Sequence, residues 1–254
     1  RYQRLRAHSM DIGSVRMTER HLHDDPPTSE QVDAAVADIQ AALDVASVDV
    51  PLDTGATLVG VAGSNGKTTV KEMIAAILAL AGPCLSTRGN LNNHLGVPLT
   101  LMRLASEHRN AVIEMGANRA GDVAALAAIA RPAVGLITNA GAEHLEGFGS
   151  LDAVARAEGE MVAALAPSGV AVIPADDSYV PLWRSMTAAR VVTFGLGAAA
   201  DYRATQLDAM VDERGFISRF RLHTPSGEMP VELALAGRHN VLNALAAAAA
   251  SAAA

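Results

Sequence analysis

The chain has 254 residues, of which half are hydrophobic, 19% are charged and 3% are aromatic. At roughly 150 residues per domain, this length allows one large domain or one and a half small ones. A mean hydropathy of +0.21 is too apolar for an intrinsically disordered chain. The 20 basic and 27 acidic residues give a net charge of −7 without a long basic block, so we expect no nucleic-acid partner.

The sequence also bears on the cellular compartment. No apolar run reaches the about 18 residues of a membrane-spanning helix, and the first residues lack the apolar segment of a signal peptide. The single cysteine, Cys84, cannot form a disulfide bond within the chain. We therefore expect a cytoplasmic protein with no membrane insertion. We also expect a monomer. The chain begins at Arg1 and stops at Ala254 inside an alanine-rich run, which indicates a piece of a longer protein.

The first part of the chain carries one helical signal. Residues 1–27 show no clean periodicity and end in a turn signal, so no element is predicted there. Thr28 and Gln31 match a capping box, and apolar residues follow at helical spacing. This pattern predicts one helix over about 29–46.

A break at 51–55, which contains proline and glycine, divides the chain. We expect an N-terminal remnant and linker with one helix over 1–55, and a separate domain over 56–254.

In the second part, short apolar runs alternate with helical patterns. Strands are predicted at 57–62, 111–115, 133–138, 169–173 and 191–194, and helices at 68–80, 120–130, 151–166, 179–187 and from about 240.

This alternation predicts an α/β fold with a doubly wound, mostly parallel sheet and helices on both faces. Residues 201–235 instead show β-type alternation around two glycine-containing turns, which predicts a small antiparallel extension. The low aromatic content agrees with an interior built from alanine, valine, leucine and isoleucine.

A phosphate-binding loop lies between the first predicted strand and its helix. Glycines let successive backbone N–H groups face one anion, the helix N-terminus adds partial positive charge, and Lys67 reaches the terminal phosphates. The common P-loop has glycine where this chain has Val61, so the loop is a shorter variant, G-x-x-G-K-T. The alternative is a purely structural turn. The predicted nucleotide-binding residues are Gly63, Ser64, Asn65, Gly66, Lys67, Thr68 and Thr69.

One acidic residue is a candidate for binding Mg²⁺ beside this loop. P-loop kinases and GTPases use an aspartate at the end of another strand, and none of the predicted strands ends in aspartate. Glu114 lies near the end of strand 111–115, at the sheet edge where doubly wound folds bind ligands. Taken alone, Glu114 is equally well explained as a solvated or capping residue.

Three further strings carry a family resemblance. They are GNLNNHLGVP at 89–98, AEHLEGFGS at 142–150 and GRHNVLN at 237–243. Together with the phosphate loop they resemble the ATP-dependent Mur ligases, nearly continuously from residue 56 to 254. Within that family, the first two strings are similar to the branch that joins D-alanyl-D-alanine to UDP-MurNAc-tripeptide.

The resemblance implies a central ATPase domain over 56–254, with most of the UDP-sugar domain and all of the C-terminal domain missing. It also implies the chemistry. The terminal carboxylate of the peptide attacks the γ-phosphate of ATP, and the amine of D-Ala-D-Ala then attacks the acyl phosphate to leave an amide, ADP and phosphate. Because two anions must approach each other, cations have to lie between them.

The same resemblance implies roles for residues around the phosphates. Lys67 and the loop amides would bind the β- and γ-phosphates, Thr68 and Glu114 would hold one Mg²⁺, and His144 would help to hold a second. Lys67 and His144 are thus candidate catalytic residues. Outside its string, a histidine such as His144 is more often a loop or core residue.

The resemblance also implies roles for four asparagines, two at the adenine end of the site and two at the acceptor end. Asn240 and Asn243 would contact the adenine end of ATP, and Asn92 and Asn93 would lie near the acceptor substrate. Alternatives remain for both pairs. Asn240 could cap the last helix, and Asn92 with Asn93 could form a turn.

Glu158 departs from the family pattern. Many Mur ligases have, fourteen residues after the motif histidine, a lysine that CO₂ carbamylates and whose new carboxylate supports a Mg²⁺; this chain has Glu158 there. With Ser150 as the cap of helix 151–166, Glu158 falls on the apolar stripe, and a buried carboxylate needs a partner such as a metal. We expect Glu158 to supply that charge directly, as a catalytic and metal-binding residue. The alternative is an ion pair with Arg156 or Arg119.

Three functions remain open from the sequence. The leading one is a Mur-type amide ligase that uses ATP and Mg²⁺ to add D-Ala-D-Ala in peptidoglycan synthesis. The second is another ligase of the same superfamily with a different amino acid or acceptor. The third is a nucleotide-binding module that has lost catalysis, against which the joint presence of Lys67, Thr68, Glu114 and His144 argues.

Overall fold

The structure is a computed structural model that describes residues 23–24, 28–31, 33–35, 37–38, 41, 55–142, 148–213 and 215–254. The chain divides into two compact units, Arg1–Leu52 and Asp53–Ala254. No helix in these described ranges is both long and apolar enough to cross a membrane.

In the first unit, the described residues between 29 and 41 are helical. The capping box is formed. The Gln31 amide N–H donates to Thr28 Oγ1 at 3.3 Å, and the Thr28 amide N–H donates to Gln31 Oε1 at 3.3 Å. These reciprocal bonds satisfy two backbone donors that a helix start otherwise leaves open. The apolar positions Val32, Val36 and Ile39 lie outside the described residues.

The second unit is built around one sheet. In the described part of the chain its strands run in the order β2-β3-β1-β4-β5-β6-β7-β8-β9. All neighbouring pairs from β2 to β7 are parallel, and β7, β8 and β9 pair antiparallel. The strands are β1 (Thr57–Ala62), β2 (Cys84–Ser86), β3 (Asn110–Glu114), β4 (Val134–Ile137), β5 (Val170–Pro174), β6 (Arg190–Gly195), β7 (Tyr202–Asp212), β8 (Gly215–Thr224) and β9 (Gly227–Leu233).

Helices cover both faces of the parallel part. They are α1 (Lys67–Ala79), α2 (Gly96–Leu101), α3 (Asp122–Ala130), α4 (Leu151–Ala163), α5 (Val180–Met186) and α6 (Arg238–Ala253). Successive residues of β1 point to opposite faces of the sheet, so they contact different helices. Val59 and Val61 pack with α1 and α6, whereas Gly60 faces α4, where an added Cβ would lie 2.8 Å from Met161 Sδ. This confirms the predicted α/β fold, including its antiparallel extension.

Two short elements are absent from the sequence prediction. Strand β2 has three residues and helix α2 has six, so neither is long enough to show a period. Helix α6 begins at Arg238, two residues before the predicted start, and its N-cap is Gly237. Helix α4 ends at Ala163, whereas the apolar pattern predicted its end at 166.

The strand order shows at which edge of the sheet a ligand is expected to bind. From β1 the chain moves to β2 and β3 on one side, and then crosses to β4 on the other side. Doubly wound sheets bind ligands in the crevice beyond the carboxyl ends of the strands where the order reverses. The loops after β1, β3 and β4 therefore meet at this edge.

Glu160 joins two helices on the α4 face. Its carboxylate accepts the Gly121 N–H at 2.7 Å and the Ala124 N–H at 3.0 Å, at the N-terminus of α3. An acidic group there satisfies open backbone donors and interacts favourably with the helix dipole. The neighbouring Trp183, fully buried, donates its Nε1–H to the Ala155 carbonyl of α4 at 2.8 Å.

Glu160→Ala tests this link. We expect the free energy of unfolding to fall by about 1 kcal/mol, the usual value of a helix cap. Denaturant unfolding can be followed by the fluorescence of Trp183, the single tryptophan of the sequence. Glu107→Ala, at an exposed loop position, is the matched control and should leave the transition unchanged. Equal effects of the two substitutions would contradict a capping role for Glu160.

Candidate functional site

The phosphate loop connects β1 to α1 and ends in a helix N-terminus. Gly66, the N-cap of α1, has a φ of 86°, a left-handed conformation that favours glycine. Helix α1 then begins at Lys67 with no side-chain cap. The first four N–H groups of a helix lack intrahelical partners, so this end is suited to bind an anion.

Lys67 lies over the loop that precedes it. Its Nζ donates to the Gly63 carbonyl at 2.6 Å and to the Ser64 carbonyl at 2.8 Å. The ammonium is thus held at the mouth of the loop, where a terminal phosphate would meet it.

The first three loop amides are bonded to protein acceptors. The Gly63 N–H donates to Glu158 Oε2 at 2.6 Å, the Ser64 N–H to the Asn139 carbonyl at 3.0 Å, and the Asn65 N–H to Asn139 Oδ1 at 3.2 Å. The sequence prediction assigned phosphate to amides along the whole loop. In this geometry, the amides of the first helical turn, from Gly66 to Thr69, are the ones oriented for phosphate.

Asn139 is a site residue that the sequence analysis missed. Besides accepting from the loop, its Nδ2 donates to the Asn65 carbonyl at 2.9 Å, so one side-chain amide pairs with both backbone groups of Asn65. Two residues on, the Gly141 N–H donates to Ser64 Oγ at 2.8 Å. A polar residue just after the buried strand β4 was the available sequence signal.

Glu114 is the last residue of β3 and is 2% exposed. Its Oε1 accepts from Asn92 Nδ2 at 2.8 Å. Its Oε2 is buried and has no hydrogen-bond partner. A buried carboxylate oxygen without a donor is costly unless a cation satisfies it, so Glu114 fits a divalent-cation ligand. Thr68, the other predicted ligand, is exposed in the first turn of α1.

The two asparagines predicted near the acceptor have different partners. Asn92 holds the Glu114 carboxylate, as described, and therefore belongs to the candidate cation site. Asn93 Oδ1 accepts the N–H groups of Leu95 at 3.1 Å and Gly96 at 2.9 Å, at the start of α2. Asn93 thus has the local role that the turn alternative described.

Glu158 is buried on α4, as its place on the apolar stripe predicts, with 5% of its surface exposed. Ser150 caps that helix by accepting the Ala153 N–H at 3.2 Å. The alternative for Glu158 was an ion pair with Arg156 or Arg119. Arg156 is exposed, and Arg119 pairs with Asp122 at 3.3 Å. The contact with Gly63 places Glu158 at the phosphate loop.

A cavity of about 760 Å³ opens beside the loop. Asn240 and Asn243 line it on the α6 side, and Asn243 Nδ2 donates to Asn240 Oδ1 at 3.2 Å. Asn243 also packs on the loop, because a Cβ added to Gly66 would lie 2.6 Å from its Oδ1. Asn240 does not serve as the N-cap of α6; its Nδ2 donates to the Ala236 carbonyl at 2.7 Å.

His144 lies outside the described residues, so its predicted metal role stays a prediction. Within the described ranges, no group of three or more His, Cys, Asp or Glu side chains forms a metal cluster. Of the predicted cation ligands, Thr68, Glu114 and Glu158 lie within the described residues, and their metal role stays a prediction.

Comparison with known proteins gives a family match over most of the second unit. The family model described as the Mur ligase middle domain matches residues 61–251. The UDP-N-acetylmuramoyl-tripeptide–D-alanyl-D-alanine ligase of Escherichia coli is 48% identical over 198 residues, which cover 77% of this chain and 43% of that protein. The ligase of the same name from Mycobacterium bovis is 37% identical over 229 residues, covering 89% of the chain and 43% of that protein.

Solved structures agree in fold. A MurF crystal structure from Acinetobacter baumannii has a TM-score of 0.75 and 37% identity, covering 87% of this chain and 46% of that one. A MurF ligase from Thermotoga maritima in complex with ADP has a TM-score of 0.67 and 25% identity, covering 89% and 50%. The chain spans less than half the length of the curated relatives quoted above.

Gly63→Ala tests the packing of the loop. Gly63 has a φ of 118°, and an added Cβ would contact Thr138 Oγ1 and lie 2.7 Å from the Thr138 backbone nitrogen. We expect nucleotide affinity, measured by calorimetric titration, to fall by about tenfold or more because the loop must shift. Gly215→Ala is the matched control. Its φ is also positive, 103°, but nothing lies within 4 Å, so nucleotide affinity should not change.

Proposed function

Because the chain belongs to the Mur ligase family, we propose that it forms the ATP-binding core of an enzyme that joins D-alanyl-D-alanine to UDP-MurNAc-tripeptide. The observation that carries the proposal is the phosphate loop. Its lysine and helix N-terminus lie at the same sheet edge as Glu114, whose buried Oε2 has no hydrogen-bond partner. Similarity to relatives named for this reaction supports the choice of substrates.

The reaction begins with ATP and the terminal carboxylate of the tripeptide. The carboxylate attacks the γ-phosphate and displaces ADP, and the amine of D-Ala-D-Ala then loses a proton and displaces phosphate from the acyl phosphate to form the amide. Both partners of the first step are anionic, so the site must neutralise charge and hold the two groups in line. The residues around the phosphate loop are suited to both tasks.

Lys67 and the first turn of α1 bind the terminal phosphates. The Lys67 ammonium, now on the carbonyls of Gly63 and Ser64, turns to the β- and γ-phosphates, which are stronger acceptors. The amides of Gly63, Ser64 and Asn65 are already bonded within the protein. These residues therefore contribute to phosphate binding through the shape of the loop. The loop is therefore preorganised before ATP arrives.

Mg²⁺ supplies neutralisation of charge on the phosphates when it is bound. Thr68 and Glu114 would hold one ion, and the buried Oε2 of Glu114, which has no hydrogen-bond partner, supports this assignment. His144 and Glu158 would hold a second ion. Glu158 lies against Gly63 and so brings a negative charge to the start of the loop.

The remaining asparagines act at the two ends of ATP. Asn240 and Asn243 line the cavity beside Gly66 and contact the adenine end. Asn92, which orients the Glu114 carboxylate, acts near the acceptor carboxylate, and Asn93 shapes the same segment by accepting the Leu95 and Gly96 N–H groups before α2. We place the reaction in the cytoplasm, as a step of peptidoglycan synthesis by a monomer without nucleic-acid partners.

Two other functions are distinguishable from this one. Another ligase of the same superfamily would use the same ATP chemistry with a different amino acid or acceptor. A nucleotide-binding module without catalysis would bind ATP at the same loop and release no phosphate. The acidic residues Glu114 and Glu158 argue for the enzyme, because binding alone has no need of two buried carboxylates beside the phosphates.

Phosphate release by the complete gene product tests the substrates. With ATP, Mg²⁺ and UDP-MurNAc-tripeptide, we expect sustained release only when D-Ala-D-Ala is added. Lys67→Ala should reduce the rate by about a hundredfold or more, because it removes the cation that neutralises the transferred phosphate. Release that ignores D-Ala-D-Ala would rule out the substrate assignment. Turnover unchanged in Lys67→Ala would rule out the phosphate role.

The role of Glu158 predicts activity that is independent of CO₂. Removing CO₂ and adding bicarbonate should both leave the rate unchanged. Glu158→Gln keeps an acceptor for the Gly63 N–H but loses the charge, and should lower activity by about ten- to a hundredfold. Glu158→Lys is the matched control. A lysine there regains a carboxylate only when CO₂ carbamylates it, so the activity of this variant should depend on CO₂. A wild-type rate that falls on CO₂ removal and returns with bicarbonate would contradict the role.

A further inference from the structure

Lys71 is a fully buried lysine on α1, one turn after Lys67. The proposed function gives it no role. Lysine is rarely buried completely, because removing an ammonium from water carries a large desolvation penalty unless nearby groups compensate it. The partners of Lys71 therefore bear on why the charge is there.

Three oxygen atoms surround the ammonium of Lys71. Its Nζ donates to the Thr87 carbonyl at 2.7 Å and lies 2.8 Å from Glu72 Oε1. The third oxygen, Glu114 Oε2, is 3.8 Å away, beyond hydrogen-bond distance. Lys71 thus balances the charge of Glu114 without bonding to it.

The same atoms keep one oxygen of Glu114 open. Oε1 accepts from Asn92, whereas Oε2 is buried without a hydrogen-bond partner. Thr87 connects the two charged residues, because its carbonyl accepts from Lys71 and its Oγ1 accepts the Glu114 N–H at 3.0 Å. A lysine that served only as a salt-bridge partner would close on Oε2; here Thr87 and Glu72 hold it back.

We propose that Lys71 is the resident counter-charge of the candidate cation site, a positioning residue that stabilises Glu114 while Glu72 and Thr87 keep it off Oε2. This rests on the proposed function, which makes Glu114 a cation ligand. A fixed positive charge beside the ligand opposes a bare divalent cation. The cation therefore binds firmly only together with the nucleotide phosphates, whose negative charge outweighs that of Lys71.

Lys71→Gln in the complete gene product tests the proposal with Mn²⁺ as the probe. Glutamine is neutral but can still donate to the Thr87 carbonyl. Without nucleotide, we expect the Mn²⁺ dissociation constant, measured by electron paramagnetic resonance of free Mn²⁺, to fall by about tenfold or more. An unchanged or weaker affinity overturns the proposal.

Glu72→Gln is the neighbouring control. Glu72 is 62% exposed, so the variant should fold. Loss of its charge lets the Lys71 ammonium close on Glu114, and Mn²⁺ binding should weaken. Tighter Mn²⁺ binding in both variants would indicate general loosening and overturn the proposal. If Lys71→Gln does not fold, Glu72→Gln decides alone, and an unchanged Mn²⁺ affinity overturns the proposal.

Thermal unfolding provides a readout that does not depend on activity. Without divalent cations, Lys71→Gln should have a lower Tm than the wild type, because the buried Glu114 carboxylate has lost its counter-charge. Added Mn²⁺ should raise the Tm of this variant more than that of the wild type. An equal Mn²⁺ effect on both proteins counts against the counter-charge.

Glu114→Gln separates this inference from the proposed function. If this variant binds Mn²⁺ in the presence of ADP as the wild type does, Glu114 is no ligand, and the cation site of the proposed function fails with the counter-charge. If Glu114→Gln loses Mn²⁺ binding while Lys71→Gln leaves the affinity unchanged, only the counter-charge fails.

Discussion

The phosphate loop is fixed by hydrogen bonds from outside the loop, and the rest of the site is arranged around it. Glu158 from α4 and Asn139 from the segment after β4 accept the first three loop amides. Gly63 packs so closely on Thr138 that no Cβ fits. These contacts restrain the loop, so the N-terminus of α1 lies at the cavity lined by Asn65, Gly66 and Thr69, where we propose that the phosphates bind.

Small residues in the sheet make this arrangement possible. Gly60 in β1 and Gly135 in β4 present no side chain to α4, so Met161 comes close to both strands. A helix so near the sheet brings Glu158, one turn before Met161, within 2.6 Å of the loop. Larger residues at the two glycines would push α4 outward and remove the acceptor of the Gly63 N–H. The packing of this face therefore determines the geometry of the phosphate site.

The sequence predicted the features that depend on local pattern, and missed those that depend on pairing between distant segments. The parallel strands, the loop of Lys67 and the burial of Glu158 each follow from a period or a motif. The place of Asn139 after a buried strand marked it only as a candidate, because its contact with the loop depends on β1 and β4 being neighbours in the sheet. Strand β2 and helix α2 are too short to show a period.

Lys71 shows how much of the site could have been inferred from a local signal. It lies three residues before Ile74, on the buried stripe of α1, where a charged residue is out of place. The sequence has 18 arginines and two lysines, and both lysines lie in the first two turns of α1. Arginine carries a broad planar group that bonds carboxylates in pairs, whereas lysine is a compact charge on a flexible stem. In the proposed site, beside phosphates and a carboxylate oxygen without a hydrogen bond, a compact charge would neutralise without covering the ligand atoms, which would account for lysine at both positions.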